Sequence, residues 1–480
     1  MYYFLIKKIM RKEQFIMVLK KIRESIKESQ FENHVFCVGG AIRDLYLNRE
    51  IKDIDIAVDL PNGGIALAEY LKSKLKLKSS PTIFPNYGTA KVDLDIENIG
   101  LVQIELVQCR KEWYTEGSRK PSSIAVGTIK DDAIRRDLTI NALYLNICSN
   151  KLEDPTEMAK SDMLKHLLRT TNDASTVFKD DALRMLRVIR FKAQLGWDIE
   201  KETYSGIVKN SKNIRNISKE RITEELNKIL LSKRPSEGLN MLRNTCLLEY
   251  VCKPLYKMRF VENNDGLYNN LYDYTLSVID ETEPKLINRL AALIHAVGKV
   301  YTIKNSRFGK LSFIDFEKKS RKYAELWLKR MKYSNAIIEN VCFLIERQSK
   351  LNNFNKKLSN MSNKSFRRFV NDCGNKLYDV LDLINAINMS KGKEETNGNQ
   401  VDYFLKKLEE LKKKGEDVQN MKLPINGKDI MEYLKIKEGS MVGYWLKQAK
   451  NLLFDNPKIT KDEMIAKLKE QKNKIVSIAK

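Results

Sequence analysis

Apolar residues recur at helical spacing from about Arg11 to Ser29, at Phe15, Val18, Leu19, Ile22 and Ile26, which predicts an amphipathic helix. A short apolar run, Phe36-Cys37-Val38, then meets Gly39 and Gly40, with Arg43 and a renewed apolar period behind them. This reads as strand, tight turn and helix start. Period two takes over after Ile51, where Asp53 and Asp55 alternate with Ile54 and Ile56, a strand that aims both carboxylates to one side. Helical spacing returns from Gly64 to Leu75, and Thr82 to Ile96 and Leu101 to Arg110 alternate like strands of an antiparallel sheet. A polar stretch punctuated by Gly117 and Pro121 follows and closes as a helix-to-strand passage through RRDLTINALYLNI. From Phe178 to Ile199 the pattern is a strongly periodic basic helix, with Leu183, Leu186 and Ile189 on its apolar side. After Ser218, an N-cap residue, strand signals nearly vanish. EPKLINRLAALIHAVGK, FEKKSRKYAELWLKRMKYS and SFRRFVNDCGNKLYDVLDLINAIN all read as amphipathic helices, KGKEETNGNQ as a linker or loop, and Thr460 with Glu463 as the capping box of the last helix. The expected fold class is α+β, a mixed or antiparallel sheet with helices at the N-terminus and an all-helical remainder.

Length and charge change that picture in two ways. A chain of 480 residues exceeds one compact core and implies two to four domains. Its 86 Lys and Arg against 62 Asp and Glu, a formal +24, favour a polyanionic partner such as nucleic acid, and no long apolar segment points to a membrane. A lysine-rich surface of purely compositional origin would give the same number. Seven cysteines stand singly without a CxxC pair, so neither a disulfide framework nor a zinc site is indicated, and a reducing compartment fits. The N-terminal MYYFLIKKIM lacks a signal-peptide cleavage pattern; Met10 and Met17 are alternative starts, and an organellar presequence stays open.

The candidate chemistry concentrates between Val38 and Val58. Backbone amides at the turn of Gly39 and Gly40, with Arg43 one turn in, offer donors and positive potential to a phosphate. Asp53 and Asp55 beside such a cradle suit two Mg²⁺ ions, one activating an attacking hydroxyl and one neutralising a leaving pyrophosphate. An ordinary turn and a solvated strand edge would also carry either half alone. Glu105 on a neighbouring strand is a third carboxylate, or else a solvated strand residue. Arg135 and Arg136 supply guanidinium forks for phosphate, and Asp137 and Asn141 are short side chains able to hydrogen-bond a ribose hydroxyl. Asp180 and Asp181 stand four and three residues before Arg184, so an acceptor and a planar donor share one helical face. Cytosine and adenine pair an exocyclic amine with an unprotonated ring nitrogen. An Asp-plus-Arg edge therefore accepts C and A, whereas U and G would oppose acceptor to acceptor and donor to donor.

Taken together, VGGAIRD…DIDIAV, RRDLTINAL and the Asp180-Asp181…Arg184 spacing resemble the motifs of class II tRNA nucleotidyltransferases, the family of CCA-adding enzymes and bacterial poly(A) polymerases. The resemblance runs from about Cys37 to Leu468 and is densest before Arg190. It implies a polymerase-β-like nucleotidyltransferase head at 1–150, a base-reading and RNA-binding neck at 151–235, a helical body at 236–400 and a tail at 401–480. It implies catalysis through Asp53 and Asp55 as Mg²⁺ ligands with Glu105 assisting. Gly39, Gly40 and Arg43 would hold triphosphate, Arg135, Arg136, Asp137 and Asn141 would hold phosphate and ribose, and Asp180, Asp181, Arg184 and Arg187 would serve at the base.

Three departures qualify the match. Asp180 replaces the usual glutamate of EDxxR, and Glu157-Met158 follow Glu153-Asp154-Pro155 where the family's third motif carries Gly-Gly. AALIHAVGK resembles a bacterial His-Asp signature, but Ala296 replaces its aspartate and the chain holds only His34, His166 and His295. His295 therefore reads as a packing residue, with no phosphohydrolase site expected. The Ser118–Pro121 loop is similar to the mobile loop of CCA-adding members and argues against relatives that add only CC. The implied activity is template-independent addition of C and A to the 3′ end of tRNA, with CTP and ATP as substrates and the acceptor arm as the RNA ligand. A cytoplasmic or organellar-matrix location is expected, with no protein partner evident. A poly(A) polymerase or A-adding enzyme of the same family shares these motifs, and an RNA-binding protein that has lost catalysis is the alternative from a different class.

Overall fold

The computed structural model describes residues 10–85, 88–114, 121–262, 267–305, 311–352, 361–391, 400–416 and 418–478. Three sequence readings, the N-terminal start, most of the Ser118–Pro121 loop and the core of KGKEETNGNQ, lie outside the described residues. The chain divides into two compact units, Met1–Lys253 and Pro254–Lys480.

In the first unit, α1 (Lys12–Ile26) buries Phe15, Val18, Leu19, Ile22 and Ile26, the stripe its spacing predicts. β1 (Val35–Val38), α2 (Gly40–Tyr46), β2 (Ile54–Val58), α3 (Gly63–Lys74), β3 (Thr82–Phe84), β4 (Thr89–Ile96) and β5 (Gly100–Gln108) follow. Next come β6 (Arg110–Tyr114), β7 (Pro121–Val126), α4 (Ile129–Ile134), β8 (Tyr144–Asn146) and β9 (Leu152–Glu153). Seven of these strands form one sheet in the order β3-β4-β5-β2-β1-β8-β9. It is mixed: β2 and β5 run parallel and every other neighbouring pair is antiparallel. β6 and β7 form a separate hairpin.

Register assigns the faces, because residues directly opposite across a ladder point to the same side. Cys37, Ile56, Leu106 and Ala90 share one face and are all buried. α1 and α3 pack on this sheet, and Gly64 allows the close approach of α3: a Cβ there would lie 2.5 Å from the Gly88 carbonyl oxygen and 2.6 Å from that of Leu106. The opposite face carries the row Lys91, Glu105, Asp55, Val38 and Tyr144. Apolar residues hold its near end, where Phe36, Val38, Ala57 and Tyr144 pack with Cys109, Ala133 and Ala142.

Helices α5 (Ala159–Leu164), α6 (Ala174–Asp180), α7 (Leu183–Leu195), α8 (Lys201–Asn210), α9 (Lys219–Leu230) and α10 (Pro235–Asn244) complete most of the first unit. One departs from the sequence pattern. The single basic helix expected from Phe178 breaks at Asp181, whose backbone is extended at φ −148°, so Asp180 ends α6 and Arg184 lies in the first turn of α7. The Asp181 carboxylate accepts from the Leu183 amide at 3.1 Å, a local bond that competes with helix continuation.

Among its described residues the second unit is helical apart from the short ladder of Ile303–Asn305 with Leu311–Phe313 and a single bridge between Glu262 and Asn270. Leu271–Glu281, Leu286–Ile294, Asn335–Asn352 and Leu377–Met389 pack together. Toward the C-terminus, Gly427–Leu434, Ser440–Asp455 and Lys461–Ile478 close over a core centred on Trp445, Ala449 and Met464. The Thr460 amide donates to Glu463 at 3.1 Å and the Glu463 amide returns to Thr460 at 3.3 Å, completing the capping box. Buried Arg367 clips this region together, bonding Glu416 through two nitrogens at 2.9 and 3.1 Å and the Phe454 carbonyl at 3.0 Å.

His295 is buried at the end of Leu286–Ile294, with Nδ1 2.8 Å from the Ala292 carbonyl oxygen and its ring 5.8 Å from that of Tyr274. Burial pushes its imidazole down from 6.5 to about 4, with Lys299 and Lys391 acting in the same direction. A depressed histidine leaves the unfolded chain holding more protons, so stability falls as pH drops from 6.5 toward 4. Between pH 7.5 and 5 this one group should cost about 2 kcal/mol. Urea unfolding of His295→Gln at both pH values should show a correspondingly smaller loss than the parent chain.

Candidate active site

β1 delivers the chain into Gly39, which adopts φ +79° and caps α2. A Cβ at Gly39 would sit 3.3 Å from Asp55 Oδ2 and 3.5 Å from Arg136 Nη1. The turn, the strand carboxylate and one guanidinium of the RRD segment thus meet at one point, and the left-handed backbone at Gly39 favours glycine there. Asp53 stands two residues before Asp55, just outside β2, and is exposed. Glu105 lies directly opposite Asp55 on β5 and on the same face, with Oε2 3.2 Å from Lys91 Nζ. Among the described residues no group of three or more His, Cys, Asp or Glu is gathered closely enough to hold a metal ion. What this edge offers is hard oxygen donors, Asp55 on β2, Asp53 just before it and Glu105 opposite on β5, a set that suits Mg²⁺ when substrate phosphates supply the remaining ligands.

Behind this point lies a buried carboxylate that the sequence reading passed over. Asp132 on α4 is fully buried and accepts from Arg135 Nε at 2.9 Å, from Arg136 Nε and Nη2 at 3.2 and 2.9 Å, and from the Tyr144 hydroxyl at 2.6 Å. Burial works to raise its pKa, but the two guanidiniums and the Tyr144 hydrogen bond outweigh that and hold it at about 2. Arg136 also donates to the Tyr144 oxygen at 3.0 Å and lies over that ring, 5.5 Å from its centre. Arg135 reaches Glu112 of β6 at 3.7 Å. The arginine pair is therefore held from behind. Its local signal was present in DDAIRRD, since Asp132 stands three and four residues before the two arginines.

A second network ties α2 to α7. Arg43 donates to Asn141 Oδ1 at 2.7 Å and to both oxygens of Asp44, and lies over the Phe191 ring at 4.8 Å. Asn141 donates to Asp137 Oδ1 at 3.0 Å, and Arg187 Nε donates to Asp137 Oδ2 at 2.6 Å. Burial opposes ionisation of Asp137, yet the Arg187 charge and these bonds keep its carboxyl well below the usual range. Asp137 and Asn141 are both buried and engaged with Arg187 and Arg43.

At the helix break, Arg184 donates to the backbone carbonyls of Arg135 at 2.7 Å and Val177 at 3.3 Å, with Asp180 Oδ2 3.9 Å away. Its side chain is only 12% exposed, so the arginine expected on an outward face is mostly inside. Asp181 is held by Arg221 of α9 at 2.6 and 3.3 Å. No local signal announces Arg221, forty residues on from Asp181. Farther along, Glu157 adopts φ +61° where the family's third motif has glycine, a left-handed backbone that costs a non-glycine residue about 1 kcal/mol. The turn before it is fixed by Asp154, which accepts from the Thr156 hydroxyl at 2.7 Å and the Lys160 amide at 2.9 Å.

Residues 35–169 match the Poly A polymerase head domain, and residues 196–258 match the probable RNA and SrmB-binding site of polymerase A. Over 486 aligned residues the chain is 26% identical to the tRNA nucleotidyltransferase cca1 of Schizosaccharomyces pombe, covering 95% of this chain and 94% of that protein. It is 35% identical to the mitochondrial CCA tRNA nucleotidyltransferase of Candida glabrata over 44% of this chain, spanning only 41% of that relative. The fold is shared with the Bacillus stearothermophilus CCA-adding enzyme solved in complex with CTP, at a TM-score of 0.68 and 21% identity over 97% of this chain and 99% of that one. Over these segments the chain is similar to the tRNA nucleotidyltransferase and poly(A) polymerase family.

Removing one partner from a buried, fully paired carboxylate cluster strands the others. Asp132→Asn should therefore destabilise the first unit by roughly 3–5 kcal/mol, and Tyr144→Phe, which removes one hydrogen bond, by about 1–2 kcal/mol. Thermal melts of the two variants should rank in that order.

Proposed function

We propose that this chain adds C and A nucleotides to the 3′ end of tRNA, drawing on CTP and ATP and releasing pyrophosphate. The observation that carries this reading is the convergence of Gly39, Asp55 and Arg136 at one point of the sheet. The 3′ hydroxyl of the RNA attacks the α-phosphorus, the bond from that phosphorus to its bridging oxygen breaks, and the hydroxyl proton leaves to solvent. The turn at Gly39 and Gly40 receives triphosphate, and Arg136, aimed by Asp132, answers the negative charge that develops. Arg43 and Arg187 are held in place by Asn141 and Asp137 and add positive potential beside it. Asp53 and Asp55 would hold Mg²⁺, with Glu105 beside them, and an ion held there would supply polarisation of phosphate oxygens and a lowered pKa at the attacking hydroxyl. Base choice falls to Asp181 and Arg184. Arg221 orients the acid, and the carbonyls of Arg135 and Val177 orient the guanidinium, a preorganisation that favours one hydrogen-bonding edge.

The four-segment division into head, neck, body and tail is part of the same proposal, with the excess of basic residues beyond the head binding RNA backbone. No helix among the described residues is long and apolar enough to cross a membrane, and the reading places the enzyme in the cytoplasm or an organellar matrix, where tRNA is matured.

Incubating the chain with tRNA lacking its 3′ end and each labelled NTP tests the reading directly. Incorporation of C and then A is expected, and a homopolymer of A would favour the poly(A) alternative. Asp53→Ala and Asp55→Ala should each abolish incorporation while leaving tRNA affinity nearly unchanged; turnover above about a tenth of the parent value, a loss of only ~1.4 kcal/mol, would sink the metal assignment. Asp181→Ala and Arg184→Ala should raise UTP or GTP misincorporation by about one to two decades, since ~1–3 kcal/mol of discrimination is lost with an unpaired edge. Uniform loss of activity with C and A preference intact would assign these residues to structure alone.

A further inference from the structure

The second unit carries a run of aromatic rings and cations that no part of the nucleotidyl-transfer site uses. Phe260 is 69% exposed, and its ring meets that of Tyr256 edge-on at 5.5 Å. The Arg259 guanidinium lies over both rings, 5.3 Å from the centre of Tyr256 and 5.7 Å from that of Phe260. The neighbouring Lys257 donates to the Tyr301 hydroxyl at 3.1 Å and sits 4.9 Å from the centre of its ring. Tyr301, 38% exposed, is stacked on Tyr323 with 3.6 Å between ring centres and 12° between planes.

Three stretches build this surface, 254–260, 299–304 and 316–323, and together they contain eight Lys or Arg and a single acid. The composition decides what fits. Cores of protein–protein interfaces favour aromatic residues and arginine but are depleted in lysine, and six of these eight cations are lysines, which makes the patch a poor seat for an ordinary protein surface. A ligand with flat π faces and a phosphate at every step matches both halves of the pattern, because bases stack on aromatic side chains while cations track the backbone.

We propose that this patch is a stacking platform for unpaired bases of an RNA strand, with Phe260 and Tyr301 as base-contacting residues and Lys257 and Arg259 as their cationic partners. It rests on the reading that the chain acts on RNA, and adds to it a contact that reads neither the reacting 3′ end nor duplex phosphate. The test uses the full chain and fluorescence anisotropy with a labelled oligouridylate of about twelve nucleotides, within the usual range of single-strand site sizes, beside a length-matched strand lacking its bases. Phe260→Ala and Tyr301→Ala leave net charge untouched, and the exposure of Phe260 means its truncation opens no core cavity. Each should weaken the base-bearing strand about tenfold or more and leave the abasic strand unchanged, and Phe260→Trp should bind as the parent does. Equal weakening on both strands, no weakening on either, or failure of the parent chain to bind the oligouridylate overturns the platform. Nucleotide addition to tRNA by the parent chain is scored in parallel. Its absence with base-selective binding intact strikes the catalytic reading alone, and its presence with base-blind binding strikes the platform alone.

Discussion

The active edge of the sheet depends on one buried carboxylate. Asp132 gathers two guanidiniums and a phenol around a fully buried carboxylate, and this makes its hydrogen bonds directional constraints more than sources of stability. A buried ion pair recovers little net energy after desolvation, but a pair with every lone pair committed has only one low-energy arrangement. Arg136 is therefore fixed beside Gly39 and Asp55 before any substrate arrives. A guanidinium already in place spends no reorganisation when charge develops, and electrostatic catalysis rests on that condition.

The same logic runs outward from that point. Arg135 ends its helix with its carbonyl accepting from Arg184, so the arginine pair and Arg184 are linked through one peptide unit. Asp137 and Asn141 bridge Arg187 of α7 to Arg43 of α2, and Arg221 reaches across from α9 to Asp181. All but the Asn141–Asp137 bond join residues remote in sequence, and they leave Asp181 and Arg184 held at helix ends. Loops would hold them less well, because a loop side chain keeps rotamer freedom that must be lost on binding.

The two units use their basic residues differently. In the first, most of the arginines near the sheet are committed to carboxylates or carbonyls and act as positioned groups. In the second, Arg367 and Arg347 are committed in the same way, whereas Lys257 and Arg259 sit over exposed rings, an arrangement that favours contact with a flexible polyanion over precise placement of a reacting atom. Net charge alone makes no such distinction.

Local physics made much of this protein legible from its residues. Period-two alternation announced β2, β4 and β5, the glycine pair announced the turn at Gly39, and helical stripes announced α1 and most of the second unit, because each signal is written within a dozen neighbouring positions. The tertiary structure decided which carboxylates share a face. Asp55 and Glu105 became neighbours through a parallel pairing of strands fifty residues apart, and no spacing rule specifies that. It also decided that the arginine pair is held from behind by Asp132 and Tyr144, that the basic helix breaks at Asp181, and that Arg221 completes the break. Periodicity describes one element against an unspecified neighbour. Register, burial and the partner of a buried charge are settled only when every element competes for the same interior, where an unpaired charge is too costly to leave.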